Sequence, residues 1–359
     1  MALEMIAGES LGDAERAALA RRFHRFAEAE CRGSSPLYEH LAAAIAADPE
    51  LLALAASAAP GQPVPNLLLG AVHFLLAQDR DAPLARFYPS LTAQPAPPAG
   101  APADFRAFCL ARAEAIRHLL ATRRVQTNEV GRSAYLLLAF ATVAALANER
   151  PVALVEIGTS AGLNLLWDRY GYRYGPDAAR GDARSPVQIA CELRGERRPP
   201  LPPGLPAIAR RVGIDLHVID AGVEEEAQWL RALVWPEHRE RAALLERAIE
   251  VLAREQPELL EGDGLTLLPD VLRGLPAEAV ACVFHTHTLN QWPGEARERL
   301  DALLAEHAAN RELYRIAAEW LGTPHPELTL TTWRAGHTRT RLLARVDPHG
   351  RWLEWQDTE

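Results

Sequence analysis

The sequence predicts an α/β fold in which a mainly parallel sheet follows an all-helical N-terminal region and ends in an antiparallel hairpin. Residues before 150 carry apolar side chains at helical spacing and show no alternating strand pattern. From Pro151 onward, short apolar runs alternate with helical segments, an order typical of parallel strands joined by right-handed crossovers. Two alternating stretches, 328–335 and 338–347, flank a turn and predict the hairpin.

The N-terminal region is predicted to consist of helices joined by short loops, with a Pro- and Ala-rich linker at 92–104. The predicted helices cover residues 11–30, 36–47, 48–58, 64–77, 104–124 and 130–148. We therefore divide the chain into a helical cap domain at 1–124, a bridging loop and helix at 125–150, and an α/β domain at 151–359.

The α/β domain is predicted to contain five strands before the hairpin, with helices between them. These strands cover residues 152–157, 214–219, 257–262, 279–287 and 312–318. The run 279–287 is almost wholly apolar, as expected of a central strand in a parallel sheet. Residues 171–213, rich in Gly, Arg and Pro, are predicted to form an insertion between the first two strands.

The charged residues exclude some functions and disfavour others. The chain has 38 basic and 47 acidic residues and a net charge of −9. This balance disfavours non-specific nucleic-acid binding, which depends on Lys and Arg neutralising phosphates. None of the basic residues is lysine. The sequence therefore excludes Schiff-base chemistry on a lysine and the lysine of a phosphate-binding P-loop.

Cysteine usage and hydropathy predict a cytoplasmic protein. The four cysteines are isolated, which is typical of reduced thiols rather than of a disulfide framework or a zinc-binding pair. The first residues lack the basic and then apolar pattern of a signal peptide. The longest apolar run, 133–147, is too short to cross a bilayer and predicts a buried helix. We expect no membrane partner, no nucleic acid and no resident metal.

A glycine-containing loop follows the first predicted strand. Glu156, Gly158, Ser160 and Gly162 occupy the pattern E-x-G-x-S-x-G, and a helix containing Asn164 is predicted to come next. Glycines permit a sharp turn and a close approach of ligand to backbone. The pattern resembles the first motif of class I S-adenosylmethionine-dependent methyltransferases, with serine at the middle glycine. The resemblance implies a Rossmann-like fold and S-adenosylmethionine as cofactor, with its methionine part against this loop. A tight turn without a ligand is the alternative.

Two aspartates follow later predicted strands at positions where such methyltransferases hold the nucleoside. Asp220 closes the strand 214–219, where an acid would accept hydrogen bonds from the ribose hydroxyls, although the insertion makes its distance from Gly162 unusually long. Asp263, in a Gly-Asp-Gly sequence, would lie near the adenine amino group. Asp220 as a helix cap and Asp263 as a turn residue are the alternatives.

Two histidines end the fourth predicted strand. His285 and His287 are two residues apart, which places both imidazoles on one face of a strand. They are candidates for acceptor binding or general-base catalysis, since histidine titrates near neutral pH. A structural role and a metal-binding pair are the alternatives, the latter without a carboxylate at ligand spacing. Asn290 and Trp292 are predicted to line the same pocket.

A serine hydrolase and a non-catalytic protein are the rival interpretations. Residues 158–162 also match G-x-S-x-G, the turn that exposes the nucleophile of serine hydrolases. The string resembles that of patatin-like lipases, which would pair Ser160 with Asp263. The segment 104–150 contains only one glycine, Gly131, where those enzymes need a glycine-rich oxyanion loop. A binding protein on a degenerate methyltransferase fold is the other interpretation, because fold does not settle function.

Nearly the whole chain also resembles an uncharacterised bacterial family, the domain of unknown function 2332. The matching strings are SPLYEHLA, VQTNEVGRSA, EIGTSAGLNLLWDRY, GIDLHVID, LVWPEHRERAALLERAI and GDG. This resemblance implies that VQTNEVGR belongs to the functional face, where Asn128, Glu129 and Arg132 would contact the cofactor or the acceptor. We therefore expect a methyltransferase that acts on a small or medium-sized acceptor molecule.

Overall fold

In the computed structural model, the protein is described over residues 12–148, 150–175, 178–201 and 204–358. The leading segment 1–11, for which the sequence predicts no signal peptide and where the first predicted helix begins, lies outside the described residues. The chain forms two units. One comprises Met1–Thr127 with Gln228–Ala242, and the other comprises Asn128–Ala227 with Ala243–Glu359. The segment Gln228–Ala242, which the sequence analysis placed in the α/β part, thus belongs to the first unit.

Eleven α-helices occur in the described residues, and the first six lie before Thr127, in the longer segment of the first unit. The α-helices are α1 (Asp13–Phe26), α2 (Pro36–Ala47), α3 (Pro49–Ala55), α4 (Val64–Gln78), α5 (Ala101–Ala111), α6 (Ala113–Thr122), α7 (Ser133–Leu146), α8 (Glu224–Leu233), α9 (Arg239–Glu255), α10 (Gly264–Arg273) and α11 (Gly294–Ala308). The single helix predicted at 104–124 is in fact two, α5 and α6, because the backbone of Arg112 leaves the helical conformation at φ −113°.

Side-chain caps explain where two of these helices begin. The Ser35 hydroxyl accepts a hydrogen bond from the Tyr38 N–H at 3.1 Å at the start of α2. Asp48 does the same for the Glu50 N–H at 2.9 Å at the start of α3. Pro36 and Pro49 occupy the first helical positions, where their missing N–H groups leave no intrahelical bond unmade. Sequence and structure therefore agree closely over 36–55.

The second unit contains one mixed sheet of eleven strands in the described residues. The strands are β1 (Val152–Ile157), β2 (Gly171–Tyr174), β3 (Ala179–Gly181), β4 (Gln188–Arg194), β5 (Ile208–Asp215), β6 (Glu258–Glu261), β7 (Val280–Thr286), β8 (Leu313–Glu319), β9 (Glu327–Arg334), β10 (His337–Val346) and β11 (Trp352–Trp355). Their spatial order is β3-β2-β4-β11-β10-β9-β8-β7-β1-β5-β6.

Five neighbouring strands, in the order β6-β5-β1-β7-β8, are all parallel. Among these five strands, the order runs outward from β1 to β5 and β6 and then returns to the other side of β1 with β7 and β8. This reversal lies between β1 and β7, and in open parallel sheets ligands bind outside the carboxyl ends of the strands at such a point. The α/β prediction with a mainly parallel sheet is confirmed.

The predicted C-terminal hairpin is confirmed, and it lies inside the sheet rather than at one edge. Strands β9 and β10 pair antiparallel, and β9 pairs antiparallel with β8. The sheet then continues beyond the hairpin through β11, which pairs with β4 in parallel. Strands β2, β3 and β4 all come from the region 171–213, which the sequence analysis left as an insertion. That region is therefore part of the sheet.

Two local predictions near the glycine loop are also wrong. The second strand of the parallel core, predicted at 214–219, is β5, which ends at Asp215 rather than just before Asp220. The segment after the loop, predicted as a regular helix, is a seven-residue 3-10 helix, Leu163–Arg169, with a kink at Leu166.

None of the helices in the described part of the chain combines the length and the apolar character that a membrane crossing requires. The apolar segment of α7 is instead buried on all sides, from Ser133 to Val143. The Phe140 ring of α7 stacks on the Trp167 ring and lies edge-on to Phe284 of β7. This helix thus packs against the face of the sheet, as predicted for a buried helix.

Candidate functional site

The loop after β1 makes a tight turn through three residues with positive φ. Gly158, Ser160 and Gly162 have φ angles of 78°, 54° and 80°. Glycine adopts this region freely, whereas serine is strained there. The Gly162 N–H closes the turn with a hydrogen bond of 2.8 Å to the Thr159 carbonyl.

Neighbouring side chains fill the space that the two loop glycines leave open. A Cβ atom at Gly158 would overlap the hydroxyl of Thr288, which follows β7, and a Cβ at Gly162 would lie 2.9 Å from Leu259 Cδ2 of β6. The Thr288 hydroxyl also donates to the Ile157 carbonyl at 3.2 Å. Both glycines are therefore required by packing within the protein itself.

Glu156 is a buried carboxyl group at the end of β1. Its side chain is 1% exposed and accepts a hydrogen bond from the Thr159 hydroxyl at 2.7 Å. Burial raises the pKa of Glu156 to about 8. The hydrogen bond from Thr159 lowers this pKa, whereas the nearby negative charge of Asp215 raises it. The group is therefore largely protonated at neutral pH.

Asp215 is the acid at the carboxyl end of β5. One of its carboxylate oxygens accepts from the Ser160 N–H at 2.8 Å, and the other accepts from the His217 N–H at 3.1 Å. Asp220, which the sequence analysis assigned to this position, is exposed in a turn and accepts from the Gly222 N–H at 2.9 Å. Asp215 was not predicted because the expected strand 214–219 runs past it to the apolar residues that follow, whereas β5 ends at Asp215.

Three other predicted cofactor or pocket residues have structural partners. Asp263 caps α10 by accepting from the Thr266 N–H at 3.0 Å. Asn164 is buried, and its amide oxygen accepts from the Ser133 hydroxyl at 2.9 Å. Trp292 lies against the start of α10, where its ring would be 3.6 Å from a Cβ at Gly264. Asp263 and Trp292 thus lie at the same helix N-terminus, and Asn164 joins the 3-10 helix to α7.

The segment singled out by its NEVGR sequence holds three parts of the second unit together. Asn128 accepts from the Leu163 N–H at 2.9 Å, directly after the glycine loop. The Arg132 guanidinium donates to the Thr286 carbonyl at 3.2 Å and to the Pro348 carbonyl at 3.0 Å. A Glu129 carboxylate oxygen lies 3.3 Å from His349 Nδ1. The three predicted substrate residues therefore join the loop, the end of β7 and the turn before β11.

A buried histidine–glutamate pair lies at the carboxyl ends of β7 and β8. His285 Nδ1 is 2.7 Å from a carboxylate oxygen of Glu319, and the two side chains are 0% and 5% exposed. Glu319 also accepts from the N–H groups of Thr288 at 3.1 Å and Asn290 at 3.3 Å. Burial would raise the pKa of Glu319, but the bonds from His285 and Thr288 outweigh it and lower the pKa. Glu319 was absent from the sequence prediction, and Asn290 itself is exposed.

His287 departs from the predicted arrangement of two histidines on one strand face. Strand β7 ends at Thr286, and His287 has a φ of 55°, so the alternation of the strand no longer applies to it. Burial, followed by the positive charge of Arg132, lowers the pKa of His287 to about 3. His287 is therefore neutral at physiological pH.

A cavity of about 220 Å³ opens beside the histidine–glutamate pair. Its lining residues come from the end of β7, from α11, and from β8 and β9 with their connection: His285, Leu289, Arg297, Asp301, Arg315, Ala317, Glu319, Leu321, Thr323, Glu327 and Thr329. Within the described part of the chain, no group of three or more His, Cys, Asp or Glu side chains is arranged to hold a metal ion. The cavity therefore presents arginine, histidine and acidic side chains.

The site thus comprises the glycine loop with Asp215 and, one strand away, the pair of His285 and Glu319 with its cavity.

Comparison with known proteins gives a family but no described activity. No protein with a curated description and no solved structure matches the chain. One family model matches residues 20–355, and its description reads "uncharacterized protein conserved in bacteria". Since the match covers almost all of the sequence, the chain belongs to this bacterial family, DUF2332.

Proposed function

We propose that the protein is an S-adenosylmethionine-dependent methyltransferase that acts on a small molecule. One observation carries the proposal: the strand order reverses beside β1, and the glycine loop and Asp215 meet at the neighbouring carboxyl ends of β1 and β5. Open parallel sheets bind nucleotide-like ligands at this position.

The fit of the cofactor rests on β5 and α10 more than on the glycines. Asp215 lies at the carboxyl end of β5, beside the Ser160 N–H of the glycine loop, where carboxylate oxygens suit the hydroxyls of a ribose. The start of α10, with Asp263 and Trp292, offers an acid and an aromatic ring for the adenine. At Gly158, in contrast, Thr288 fills the space that the resemblance assigned to the ligand. Glu156 and Ser160 would adjoin the methionine part.

Proton handling falls to the chain's own residues. When bound, S-adenosylmethionine supplies an electrophilic methyl group on its sulfonium. The ionised Glu319 holds the proton of His285 on Nδ1, which leaves the lone pair on Nε2 to accept a proton from an acceptor hydroxyl or amine. His287, with its lowered pKa, is neutral and adds no charge to this region. Positioning of the two reactants contributes most to such a transfer.

The direct test is isothermal titration with S-adenosylmethionine and S-adenosylhomocysteine. We expect micromolar binding that the Asp215→Ala variant weakens by about tenfold or more, since hydrogen bonds to a charged group are lost. Asp220→Ala is the matched control, because Asp220 is exposed and bonds only within its own turn. Failure of both ligands to bind the wild-type protein would refute the proposal and favour a degenerate, non-catalytic fold. Equal loss in both variants would refute the assignment of Asp215.

A serine hydrolase is the second candidate, and the backbone of Ser160 favours it. A serine with positive φ directly after a buried parallel strand is typical of a nucleophile on a strained turn. The predicted partner Asp263 is engaged with Thr266 at the start of α10. A fluorophosphonate probe decides the point: labelling that disappears in Ser160→Ala would establish the hydrolase, and an unlabelled wild-type protein would exclude it.

A further inference from the structure

Three residues that line the cavity beside His285 each contain a buried nitrogen atom that lacks a hydrogen-bond partner. Among the described residues, Nε2 of His285, Nε of Arg297 and Nε of Arg315 are buried and make no hydrogen bond. All three residues line the cavity. An unpaired polar atom away from water destabilises a folded protein, so three such atoms on residues around one cavity favour the binding of a polar ligand there.

Arg297 is the basic side chain in this lining for which the described structure offers no counter-ion. Arg315 forms an ion pair with Asp301, and His285 is paired with Glu319. Arg297, on α11, makes no side-chain hydrogen bond or ion pair to any described residue. A guanidinium group binds a planar carboxylate through two parallel hydrogen bonds, which gives both affinity and orientation.

The other lining residues restrict the ligand further. Glu327 lies opposite Glu319 in the pairing of β8 with β9, so the cavity carries acidic as well as basic groups. Three acids in one lining repel a doubly charged phosphate more strongly than a singly charged carboxylate, so the carboxylate is the more suitable anion for Arg297. The lone pair of His285 Nε2 and the Glu327 carboxylate both accept hydrogen bonds, and they suit a hydroxyl or amino group on the same ligand.

The size of the cavity agrees with a small molecule. Its volume of about 220 Å³ lies below the range of roughly 300–1,000 Å³ that is usual for drug-sized ligands. We propose that this cavity binds a small hydroxy- or amino-carboxylic acid, with its carboxylate on Arg297 and its hydroxyl or amine at His285 Nε2.

Thr288 connects this cavity with the glycine loop. Its N–H donates to Glu319, and its hydroxyl lies against Gly158 and bonds to Ile157. The bound acid is therefore the candidate methyl acceptor, a step that rests on the proposed function. The binding of the acid itself does not depend on the methyl donor.

The binding test uses mandelate, 4-hydroxybenzoate and serine as probes in isothermal titration, with mandelamide as the neutral counterpart of mandelate. We expect at least one acid to bind and Arg297→Gln to weaken it by about tenfold or more, through loss of the charged hydrogen bonds. Arg299→Gln is the matched control, since Arg299 is exposed on the same helix and outside the cavity lining.

Three results would overturn the inference: no binding of any of the three acids, equal binding of an acid to wild type and Arg297→Gln, or, if mandelate binds, equal binding of mandelate and mandelamide. Inorganic phosphate that displaces the acids at lower concentration would overturn the carboxylate assignment. Asp215→Ala separates the two proposals, because it is expected to bind the acid normally while losing S-adenosylmethionine. Acid binding in a protein that does not bind S-adenosylmethionine would thus leave this site standing and remove the methyl transfer.

Discussion

Replacing Glu156 with glutamine is expected to remove a pH-dependent loss of stability. The folded-state pKa of about 8 lies above the ordinary value of 4.5, so the folded protein binds a proton that the unfolded chain releases. The contribution of Glu156 to stability is thus fully present below about pH 4.5 and is lost as the pH rises toward 8. At 1.36 kcal/mol per pKa unit, the loss between about pH 5 and pH 8 is roughly 3 kcal/mol.

Urea denaturation between pH 5 and pH 8 measures this effect. A glutamine at this position keeps an oxygen that accepts from the Thr159 hydroxyl, so the variant retains the local bond and loses only the titration. We expect the free energy of unfolding of Glu156→Gln to exceed that of wild type at pH 8 and to approach it at pH 5. Glu298→Gln, at an exposed position on α11, is the control and is expected to follow wild type. Parallel curves for wild type and Glu156→Gln would refute the raised pKa.

Two glycine substitutions test the packing around the site, and one titration tests its charge state. Gly158→Ala combines a positive φ with overlap on Thr288, so it is expected to destabilise the protein by about 2–4 kcal/mol in urea denaturation. Adding Thr288→Ala should recover part of that loss. Strictly additive effects of the two substitutions would contradict the contact. Gly131→Ala would overlap the His349 carbonyl and is expected to lower the free energy of unfolding by about 3 kcal/mol. Gly294→Ala is the control and should change it little, because no atom lies near a Cβ at that position. Similar effects of the two substitutions would be evidence against the packing. His287 is expected to stay neutral in an NMR titration down to about pH 5, because its folded pKa lies near 3. The stability that its neutral form contributes is lost only as the pH falls below the unfolded pKa of about 6.5. A titration inflection near pH 6 would contradict its burial.

The parallel core was predictable from the sequence where the strands are apolar, and the error at β5 shows the limit. Strands β1, β7 and β8 are buried almost throughout, so their apolar runs marked them. Strand β5 instead carries Arg210 and Arg211, which pair with Glu258 at 2.8 Å and Asp168 at 2.5 Å. These ion pairs join residues more than 40 positions apart, and nothing in the local pattern indicates them. The strand was therefore predicted too late in the chain, at 214–219, where the apolar residues are more frequent.

Glu319 was missed for a related reason. Its partner His285 is 34 residues away, and the two meet because β7 and β8 are adjacent parallel strands that end at the same level. One signal was available in the sequence, since an acid follows directly after the predicted strand 312–318. The rule that ligand-binding side chains follow the carboxyl ends of parallel strands would have selected it.

The pairing of β4 with β11 sets the order in which the sheet is completed. Glu192 and Trp352 are register partners although about 160 residues separate them, so a long stretch of chain must be closed into a loop before the pair forms. Until β11 reaches it, β4 lacks the neighbour that joins it to the rest of the sheet, and its free edge is open to pairing with other chains. Strands β2, β3 and β4 therefore leave the ribosome well before β11, the strand that joins them to the rest of the sheet. Until β11 has been synthesised and has paired with β4, the nascent chain is open to aggregation.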